Sequence, residues 1–415
     1  MESRTVVTVR GLAIGGAGVA DLPDGRVVFV PRTAPGDRVS IRIEKSRPRW
    51  ASGSVRELVE PGEGRRPPLC ALYLRCGGCQ LQHIAYESQL EWKGRFVADA
   101  LERIGGLVEV ETPEVVPSPR ETGYRSRVTF TLRRLRGGRV LAGFHALGRA
   151  SHVVDVGEEC VLPRRELVDA WAALRSGWGD GARLLPAGGQ LRLTLRFEAP
   201  GPVLVVEGGP PGWRAEALAR AVPQLVAVWH RPGLRGAAAV AVAGSAEELW
   251  PTAFAQVNPE AAAAMVEHVV GLAGLGEHAV DAYCGAGAFG RELAGRGWRV
   301  TGIERDPGAC AAAREGSPQG LDVVEGPVED HLGRALPADL LVVNPPRSGL
   351  APHVRRLIAE SGSGRLIYVS CDPATLARDV AELTRAYALV GLRCFDLFPQ
   401  TAHVESVAHL ASRAD

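Results

Sequence analysis

The chain has 415 residues, of which 46% are apolar and 23% are charged. This length exceeds that of one typical domain, so we expect two or three domains, and the composition excludes a disordered protein. No apolar run reaches the roughly 18 residues that a membrane-spanning helix needs. The first residues lack the basic start and apolar stretch of a secretory signal, so we expect a cytoplasmic protein.

Charge is unevenly distributed along the chain. Residues 1–150 contain 24 basic and 16 acidic side chains, whereas residues 251–415 contain 14 basic and 20 acidic ones. Residues 120–149 alone carry eight arginines against a single acid, Glu121. A basic N-terminal part followed by an acidic C-terminal part suggests that one part of the protein holds a polyanion and another part processes it. On charge alone, a solvated surface is an equal alternative to a nucleic-acid site.

Residues 4–60 are predicted to form a small all-β unit. Its short strand-like stretches are separated by turn sequences such as Pro23-Asp24-Gly25. The pattern is typical of a five-stranded barrel of the kind that binds oligonucleotides, although a barrel that only packs on its neighbour fits nearly as well. The sequence PGEGRRPP at residues 61–68 is predicted to be a linker, so the first domain is placed at residues 1–62.

Residues 63–245 are predicted to form a central α+β domain. A helical stretch at residues 86–104 is followed by β-like stretches at 127–134, 139–145 and 190–207. The sequence CALYLRCGGC places Cys70, Cys76 and Cys79 within ten residues, and Cys160 follows further along. Zinc and a four-iron cluster both accept four thiolates, so the spacing leaves both open.

Residues 246–415 are predicted to form a doubly wound α/β domain. Short apolar strands alternate with Ala-rich helical stretches, and the strand sequences are HAVDAYCG, WRVTGIE, LDVVEG, DLLVVNPP and RLIYVSC. Near-continuous apolar strands with helical crossovers indicate a buried parallel sheet. Ligands of such sheets bind outside the carboxyl ends of the strands, so the unusual residues at those ends are the candidate site.

The sequence DAYCGAGAFG lies where the first of these strands meets a helix. Gly285 and Gly287 allow the backbone to turn sharply beside a ligand at the helix N-terminus. The next strand ends at Glu304, whose carboxylate can bind a ribose diol. The series Gly285, Gly287, Gly290 is one residue shorter than the dinucleotide pattern, which favours S-adenosylmethionine over NAD.

Three further positions carry side chains that suit chemistry. Asn344 follows a strand and begins a stiff Asn-Pro-Pro turn, which also occurs in enzymes that methylate amino groups of bases. Cys371 follows the strand RLIYVS, where the N-terminus of the next helix would favour its thiolate. Glu405 begins an apolar alternation and is a candidate general base if it faces the cleft. A buried inert thiol and a surface carboxylate are the plain alternatives for the last two.

Taken together, these motifs resemble the RNA uracil-5 methyltransferases that carry a TRAM domain and an iron–sulfur cluster. The resemblance rests on GLAIGGAGVA, GRVVFVPRTAPGDRV, CALYLRCGGCQLQH, FAQVN, DAYCGAG, SCDP and HVES. It extends over almost the whole chain and is least distinctive at residues 165–250. It implies a multidomain α/β protein with an N-terminal TRAM barrel, a central iron–sulfur domain and a C-terminal Rossmann-like methyltransferase domain.

The resemblance also implies a role for each candidate residue. Cys371 would be the nucleophile and Glu405 the base. The ligands of a [4Fe-4S] cluster would be Cys70, Cys76, Cys79 and Cys160. The contacts to S-adenosylmethionine would be Gln256, Tyr283, Glu304 and Asn344, together with Gly285 and Gly287 of the glycine motif. The family usually has an acid where this chain has Asn344, so a charge is lost at that contact.

The implied reaction is methylation of C5 of a uridine in structured RNA, with ribosomal RNA favoured over transfer RNA. Addition of the Cys371 thiolate to C6 would make C5 nucleophilic, and Glu405 would then remove the C5 proton. The uridine must be unstacked to reach the site. The barrel and residues 120–149 are the predicted RNA-binding surface, with Tyr124 and Phe130 predicted to stack on bases. A monomer is expected.

Two other functions stay open at this point. An amine methyltransferase would use the turn at Asn344 but would leave Cys371 and Glu405 without a role. An RNA-binding protein with a degenerate methyltransferase domain would account for the departure at Asn344.

Overall fold

The computed structural model describes residues 5–233, 237–245 and 255–413. The chain divides into two compact units. The first consists of Met1–Ser88, Arg120–Pro251 and Pro399–Ala402, and the second of Gln89–Pro119, Thr252–Phe398 and His403–Asp415. Not one of the described helices combines the length and the apolar character that crossing a bilayer requires.

The first unit begins with a closed five-stranded barrel, which confirms the prediction. Its strands are β1 (Thr5–Leu12), β2 (Gly18–Asp21), β3 (Val27–Val30), β4 (Arg38–Ser46) and β5 (Trp50–Glu60), in the order β1-β2-β3-β5-β4. Alternate side chains point inward, so that Val7, Val9, Val28, Val30 and Ile41 fill the interior. The predicted linker is held to this barrel, because the buried Asp37 carboxylate accepts a hydrogen bond of 2.8 Å from the Gly62 amide and pairs with Arg65.

A seven-stranded sheet forms the rest of the first unit. Helix α1 (Tyr86–Arg103), most of which belongs to the second unit, and the short strand β6 (Val115–Val116) precede it in the chain. The strands are β7 (Arg127–Arg134), β8 (Val140–Ala146), β9 (Arg149–Asp155), β10 (Gln190–Glu198), β11 (Gly201–Glu207), β12 (Ala227–Arg231) and β13 (Val240–Gly244), in the order β13-β12-β11-β10-β7-β8-β9. Helices α2 (Arg165–Gly177) and α3 (Ala215–Ala221) pack on this sheet. Its core includes Trp171 of α2 stacked on Phe130 of β7, with ring centroids 3.9 Å apart.

The second unit is built on an eight-stranded sheet. Besides β6, its strands are β14 (His278–Ala282), β15 (Arg299–Glu304), β16 (Leu321–Glu325), β17 (Leu340–Val343), β18 (Arg365–Ser370), β19 (Tyr387–Phe395) and β20 (Glu405–Ser412). Besides α1, its helices are α4 (Pro259–Gly271), α5 (Ala288–Gly295), α6 (Pro307–Arg314), α7 (Val328–Ala335), α8 (Pro352–Glu360) and α9 (Pro373–Leu383).

The strand order in this sheet is β16-β15-β14-β17-β18-β20-β19-β6. Strands β14 to β18 are parallel, as their continuous apolar sequences predict. The order reverses at β14, which lies between β15 and β17, and ligands of doubly wound sheets bind at the carboxyl ends beside such a reversal. Strand β20 runs antiparallel to β18, an arrangement that the sequence patterns did not indicate.

The predicted domain boundaries after residues 62 and 245 stay predictions. Residues 246–254, where the last domain was placed to begin, lie outside the described residues. Residues 89–119 were placed in the central domain, whereas the structure groups them with the second unit. The physical reason is that β6 adds to the large sheet by pairing with β19, with Val115 opposite Cys394.

Candidate active site

The loop between β14 and α5 forms the first part of the candidate site. Tyr283 and Gly285 have φ angles of 63° and 56°, and Gly287, at φ 80°, is the N-cap residue of α5. A non-glycine residue with such a φ is uncommon, and strained backbone of this kind concentrates at ligand sites. The loop therefore turns sharply at the carboxyl end of β14.

Glu304 lies at the carboxyl end of β15, beside this loop. Its Oε2 accepts a hydrogen bond of 3.0 Å from the Gly285 amide. Its Oε1 accepts hydrogen bonds of 2.8 Å from the amides of Arg305 and Asp306. Three backbone donors thus hold the carboxylate in place, and Oε2, which accepts only one of these hydrogen bonds, keeps a second lone pair with which to bind a ligand hydroxyl.

Asp281 is a residue of this region that the sequence argument missed. It is fully buried in β14, and its Oδ2 accepts a hydrogen bond of 2.9 Å from the Gly290 amide. Burial raises the pKa of its carboxyl group to about 7, partly offset by that hydrogen bond. Asp281 therefore fastens the first turn of α5 to the strand. An acid within an otherwise apolar strand, just before the glycine motif, is the signal that would have identified it.

The other residues predicted to contact S-adenosylmethionine are Asn344, Tyr283 and Gln256. Asn344 directly follows β17, and its backbone N–H donates a hydrogen bond of 3.2 Å to the Ala282 carbonyl at the end of β14. The Tyr283 hydroxyl donates to Glu329 at 3.4 Å. Gln256 precedes α4 and is half-buried, whereas Phe254 of the same FAQVN motif lies outside the described residues.

Cys371 and Glu405 are brought together by the antiparallel pairing of β18 with β20. Ser370 lies opposite Ser406, so the next pair along this ladder is Cys371 and Glu405. The prediction that Glu405 begins a strand is confirmed. Its side chain is buried rather than on the surface, since only 3% of the residue is exposed.

Arg347, in the loop after Asn344, is the cation of this group. A hydrogen bond and the charge of Arg347 lower the pKa of the Cys371 thiol, and the same charge lowers that of Glu405. Arg347 was not among the residues predicted from the sequence to belong to the site. Its position three residues after Asn344, a predicted ligand contact, was the available signal.

The pKa values of these groups differ from those that the sequence suggested. Burial, then the Glu405 charge, raise the pKa of Cys371 above its usual value, and Arg347 only partly opposes them. The net shift of the Cys371 pKa is therefore upward, whereas the N-terminus of α9 was expected to lower it. Burial also raises the pKa of Glu405 to about 8, against the opposing charge of Arg347. Near neutral pH the Glu405 carboxyl is mostly protonated, which reduces its repulsion of a thiolate.

The four cysteines of the predicted cluster lie around one cavity in the first unit. Cys70, Cys76, Cys79 and Cys160 line a partly enclosed space of about 90 Å³. The other lining side chains are mainly apolar and include Leu72, Val128, Phe144, Val156 and Leu162. All four cysteines are free thiols. In the part of the chain that the structure describes, no three His, Cys, Asp or Glu side chains converge as a site for a single metal ion would require.

The predicted stacking of RNA bases on Tyr124 and Phe130 is wrong. Phe130 is 1% exposed and Tyr124 is 5% exposed. The Phe130 ring stacks on Trp171, and the Tyr124 hydroxyl donates a hydrogen bond of 3.1 Å to the Pro399 carbonyl. Both rings belong to the core of the first unit, so neither can stack on a base.

The basic segment 120–149 divides into structural and exposed arginines. Arg125 lines the cysteine cavity. Arg134 donates hydrogen bonds of 2.6 Å and 2.8 Å to the carbonyl oxygens of Gly188 and Ala182. The arginines exposed to solvent include Arg136, Arg139 and Arg149.

Named relatives match this chain almost from end to end. The 23S rRNA (uracil(1939)-C(5))-methyltransferase RlmD of Thiobacillus denitrificans is 32% identical over 442 residues, which cover 97% of this chain and 98% of that protein. An uncharacterized RNA methyltransferase of Thermosynechococcus vestitus is 34% identical over 443 residues, which cover 97% of each chain. The crystal structure of Pyrococcus abyssi tRNA (uracil-54, C5)-methyltransferase in complex with S-adenosyl-L-homocysteine has a TM-score of 0.73 at 26% identity, covering 98% of this chain and 99% of its own.

Two domain families match parts of the chain. Residues 3–55 match the TRAM domain, and residues 334–413 match the tRNA (Uracil-5-)-methyltransferase family. The doubly wound sheet with its glycine loop and the acid at the end of the next strand, together with these matches, identifies the protein as an S-adenosylmethionine-dependent methyltransferase. The chain belongs to the RNA (uracil-5-)-methyltransferase family, in the form that carries an N-terminal TRAM domain. Its activity is accordingly that of an RNA (uracil-5-)-methyltransferase.

Proposed function

We propose that the protein methylates C5 of a uridine in ribosomal RNA through a covalent bond between Cys371 and C6 of the base. The observation that carries the proposal is the meeting of a thiol, a guanidinium and a carboxyl group at one sheet edge, those of Cys371, Arg347 and Glu405. The loop of Gly285 and the carboxylate of Glu304 lie at the carboxyl ends of parallel strands of the same sheet.

The first step uses Cys371 and Arg347. Uracil C5 is too weak a nucleophile to attack a methyl group directly, whereas addition of a thiolate to C6 generates an enolate with carbanion character at C5. The S–C6 bond forms as the electron pair of the C5–C6 double bond moves toward C5 and the adjoining carbonyl. Arg347 supports this step, because a hydrogen bond from a cation stabilises the thiolate form of Cys371.

The later steps use Glu405. C5 attacks the sulfonium methyl group of the donor, which leaves as S-adenosylhomocysteine. Glu405 in its ionised form, a minority near neutral pH, then accepts the proton from C5, the C5–C6 double bond re-forms, and the S–C6 bond breaks to return the thiolate of Cys371. A carboxylate with a pKa of about 8 is a stronger base than an exposed glutamate, so burial suits Glu405 to this transfer.

The donor site is proposed at the reversal point of the sheet. Oε2 of Glu304 has a free lone pair for a ribose hydroxyl, and the loop of Gly285 and Gly287 leads into the N-terminus of α5 beside it. Tyr283 and Asn344 end the adjacent strands β14 and β17, and Gln256 is assigned by its place in the family motif. An asparagine at position 344 keeps a hydrogen-bond acceptor but lacks the charge that would attract the sulfonium.

The four-cysteine cavity is proposed to hold a [4Fe-4S] cluster. Cys70, Cys76, Cys79 and Cys160 line one cavity whose other walls are mainly apolar, which supports a group held by four thiolates, and the cluster is chosen over zinc by the family resemblance. When bound, such a cluster would cross-link the segment of the first three cysteines to that of Cys160. We assign it a structural role, and no step of the methyl transfer passes through it.

Ribosomal RNA is proposed as the substrate on the strength of the match to RlmD. That ribosomal enzyme is 32% identical to this chain, whereas the Pyrococcus abyssi enzyme, which acts on transfer RNA, is 26% identical. Both matches extend over nearly the full chain, so domain content does not separate the two substrates. The proposal therefore rests on the higher identity.

The decisive experiment is nucleoside mass spectrometry with a methyl-labelled donor. Undermodified RNA is incubated with the purified protein and then separated into ribosomal and transfer fractions. We expect label in 5-methyluridine of the ribosomal fraction. Label in 5-methyluridine of transfer RNA would overturn the substrate, and label in a methylated amino group would favour a different methyltransferase built on the Asn344 turn.

A pair of cysteine variants tests the covalent mechanism. Cys371→Ala is expected to abolish turnover. Cys394→Ala, which removes another thiol of the second unit, is expected to retain turnover, because the Cys394 thiol is buried against Ser406 and has no role in the reaction. Methyl transfer by a folded Cys371→Ala protein would rule out the adduct. Absence of transfer by the native protein, with the donor bound, would favour a protein that only binds RNA.

A further inference from the structure

We infer that Asp379 is a positioning residue for methyl transfer, whose buried carboxylate holds the Arg347 loop in register with the strand that leads to Cys371. The inference rests on the proposed role of Cys371 as the nucleophile. Asp379 touches neither the base nor the donor in this scheme. It acts through the atoms that it fixes.

Asp379 lies in α9 and is completely buried. Its Oδ2 accepts a hydrogen bond of 2.8 Å from the Leu350 amide and one of 2.7 Å from the Tyr368 hydroxyl. Its Oδ1 accepts hydrogen bonds of 3.0 Å from Arg355 and 2.8 Å from Arg378. Two cations and two neutral donors thus satisfy both oxygens, which is the condition under which a buried charge is stable.

Two of these contacts fix the loop that carries Arg347. The Leu350 amide, at the end of the loop, is bound by Asp379 itself. Arg378, which Asp379 orients, donates a hydrogen bond of 2.8 Å to the Ser348 carbonyl. Both anchors lie within three residues of Arg347, so they restrict the direction in which its side chain leaves the backbone.

Gly349 shows how closely the loop fits over this carboxylate. Its φ is 74°, and a Cβ atom added there would lie 2.5 Å from Oδ2 of Asp379. Its amide donates a hydrogen bond of 2.8 Å to the Pro346 carbonyl, which closes a turn with Arg347 inside it. The backbone on both sides of Arg347 is therefore held.

The same carboxylate also holds the strand of the nucleophile. Tyr368 is fully buried in β18, three residues before Cys371, and its hydroxyl donates to Asp379. One side chain therefore holds both the loop that carries Arg347 and the strand that leads to Cys371. Two groups anchored to the same side chain keep their relative position. A misplacement of about 1 Å can cost up to ~10²-fold in rate.

The position of Arg347 is important because several charged groups act on the Cys371 thiol. Glu405 of β20 and Asp372 of the following turn disfavour the thiolate, and Arg347 favours it. If the loop loosens, the two carboxyl groups act without the opposing cation. The thiol then ionises at higher pH and reacts more slowly at neutral pH.

The test is Asp379→Asn, read first by alkylation of Cys371. The protein is treated with iodoacetamide over a range of pH, and modification of the Cys371 peptide is followed by mass spectrometry. We expect the pH midpoint of alkylation to rise by about one unit. We also expect kcat for methyl transfer to fall by about tenfold, while KM for the donor changes by less than about threefold.

Glu382→Gln is the matched control. Glu382 binds the outer side of Arg355, at 2.7 Å and 2.9 Å, so it belongs to the same ion-pair network. The residue has no described contact with the 344–350 loop or with Tyr368. We expect this variant to keep the alkylation profile and kcat of the native protein.

Arg378→Ala keeps the test informative if Asp379→Asn does not fold. It removes the bond to the Ser348 carbonyl and leaves the Leu350 and Tyr368 contacts of Asp379 in place. We expect the pH midpoint of Cys371 alkylation to rise by less than it does in Asp379→Asn. If both variants lose stability but keep the native alkylation midpoint and kcat, Asp379 is only structural and the inference is wrong.

Failure of this inference is distinguishable from failure of the proposed function. Methyl transfer by a folded Cys371→Ala protein would remove the adduct mechanism, whatever Asp379 does. A protein that requires Cys371 but is indifferent to Asp379→Asn and Arg378→Ala would overturn the positioning role alone.

Discussion

The backbone nitrogen of Gly285 donates a hydrogen bond of 3.0 Å to Oε2 of Glu304. This bond joins the glycine loop after β14 to the carboxyl end of β15. Two further amides, those of Arg305 and Asp306, hold the other carboxylate oxygen at 2.8 Å. One side chain therefore organises the loop and the strand end at the same time. Substitutions of Glu304 should consequently affect the proposed donor site more than the rest of the second unit.

Glu304→Gln is expected to weaken donor binding by about tenfold, because a hydrogen bond to a charged acceptor contributes roughly 1–1.5 kcal/mol more than one to a neutral acceptor. Calorimetric titration with S-adenosylhomocysteine measures the change. Glu325→Gln is the matched control, since Glu325 lies opposite Glu304 on β16 and is exposed. Equal weakening by both variants would show that general charge, not the Glu304 position, determines donor affinity.

Glu405→Gln is expected to accumulate a covalent complex with RNA. The amide cannot accept the C5 proton, so the reaction stops after methyl transfer with Cys371 still bound to C6. Denaturing gel electrophoresis with labelled RNA detects the complex, and Cys371→Ala should show none. Normal turnover by Glu405→Gln would remove this residue as the base.

The buried Glu405 carboxyl group should also make stability depend on pH. Its pKa of about 8 in the folded state exceeds the ordinary value of 4.5, so the folded state binds the proton more tightly than the unfolded state. The associated stabilisation is complete below the ordinary value and is lost as the pH rises from there through about 8. The free energy of unfolding of the native protein should therefore fall, relative to Glu405→Gln, over that window.

Urea unfolding at about pH 5 and about pH 9 measures this difference, which should reach a few kcal/mol at most. Asp281, whose pKa is raised to about 7, contributes the same trend to both proteins and cancels in the comparison. A constant difference across the window would mean that Glu405 has an ordinary pKa in the folded protein.

Asn344→Asp is expected to strengthen binding of S-adenosylmethionine relative to S-adenosylhomocysteine. A carboxylate at this position would attract the sulfonium charge, which the product lacks. The ratio of the two dissociation constants should change by about threefold to tenfold, since a charge-assisted contact is worth roughly 1 kcal/mol more than a neutral one. An unchanged ratio would place the side chain away from the sulfonium.

Charge reversal of Arg136 and Arg139 is expected to weaken RNA binding and to reduce its salt dependence. Both side chains are exposed at the end of β7, and each lost phosphate contact lowers the slope of log affinity against log salt by about 0.7–0.9. Filter binding at several salt concentrations measures both quantities. Arg220→Glu is the control, because this exposed arginine of α3 lies outside the basic segment. An equal effect of the substitutions at Arg136, Arg139 and Arg220 would indicate that RNA binding depends on net charge rather than on the basic segment.

Local sequence patterns predicted the elements of this fold well. Alternating apolar residues between turn sequences specify the barrel, and continuous apolar strands with helical crossovers specify the parallel strands β14 to β18. Residues that follow those strands, such as Asn344 and Cys371, could be placed at one sheet edge because parallel strands end on the same side. Their roles in the reaction stay predictions.

Contacts between distant parts of the chain could not be predicted in this way. Whether Phe130 stacks on a base or on Trp171 depends on where α2 packs, which no local pattern records. The same is true of β6, whose two residues join the large sheet through a partner almost 280 residues away.

The sequence by itself determined which chemical groups the second unit carries and which secondary-structure elements hold them. Only the tertiary structure decided that Glu405 is buried beside Cys371, because that depends on the antiparallel register of β20 on β18. It alone showed that the charge of Arg347 acts on the thiol and that the carboxylate of Asp379 binds the end of the Arg347 loop. The physical reason is that periodicity reports one element at a time, whereas pKa values and orientation depend on the groups that packing brings together.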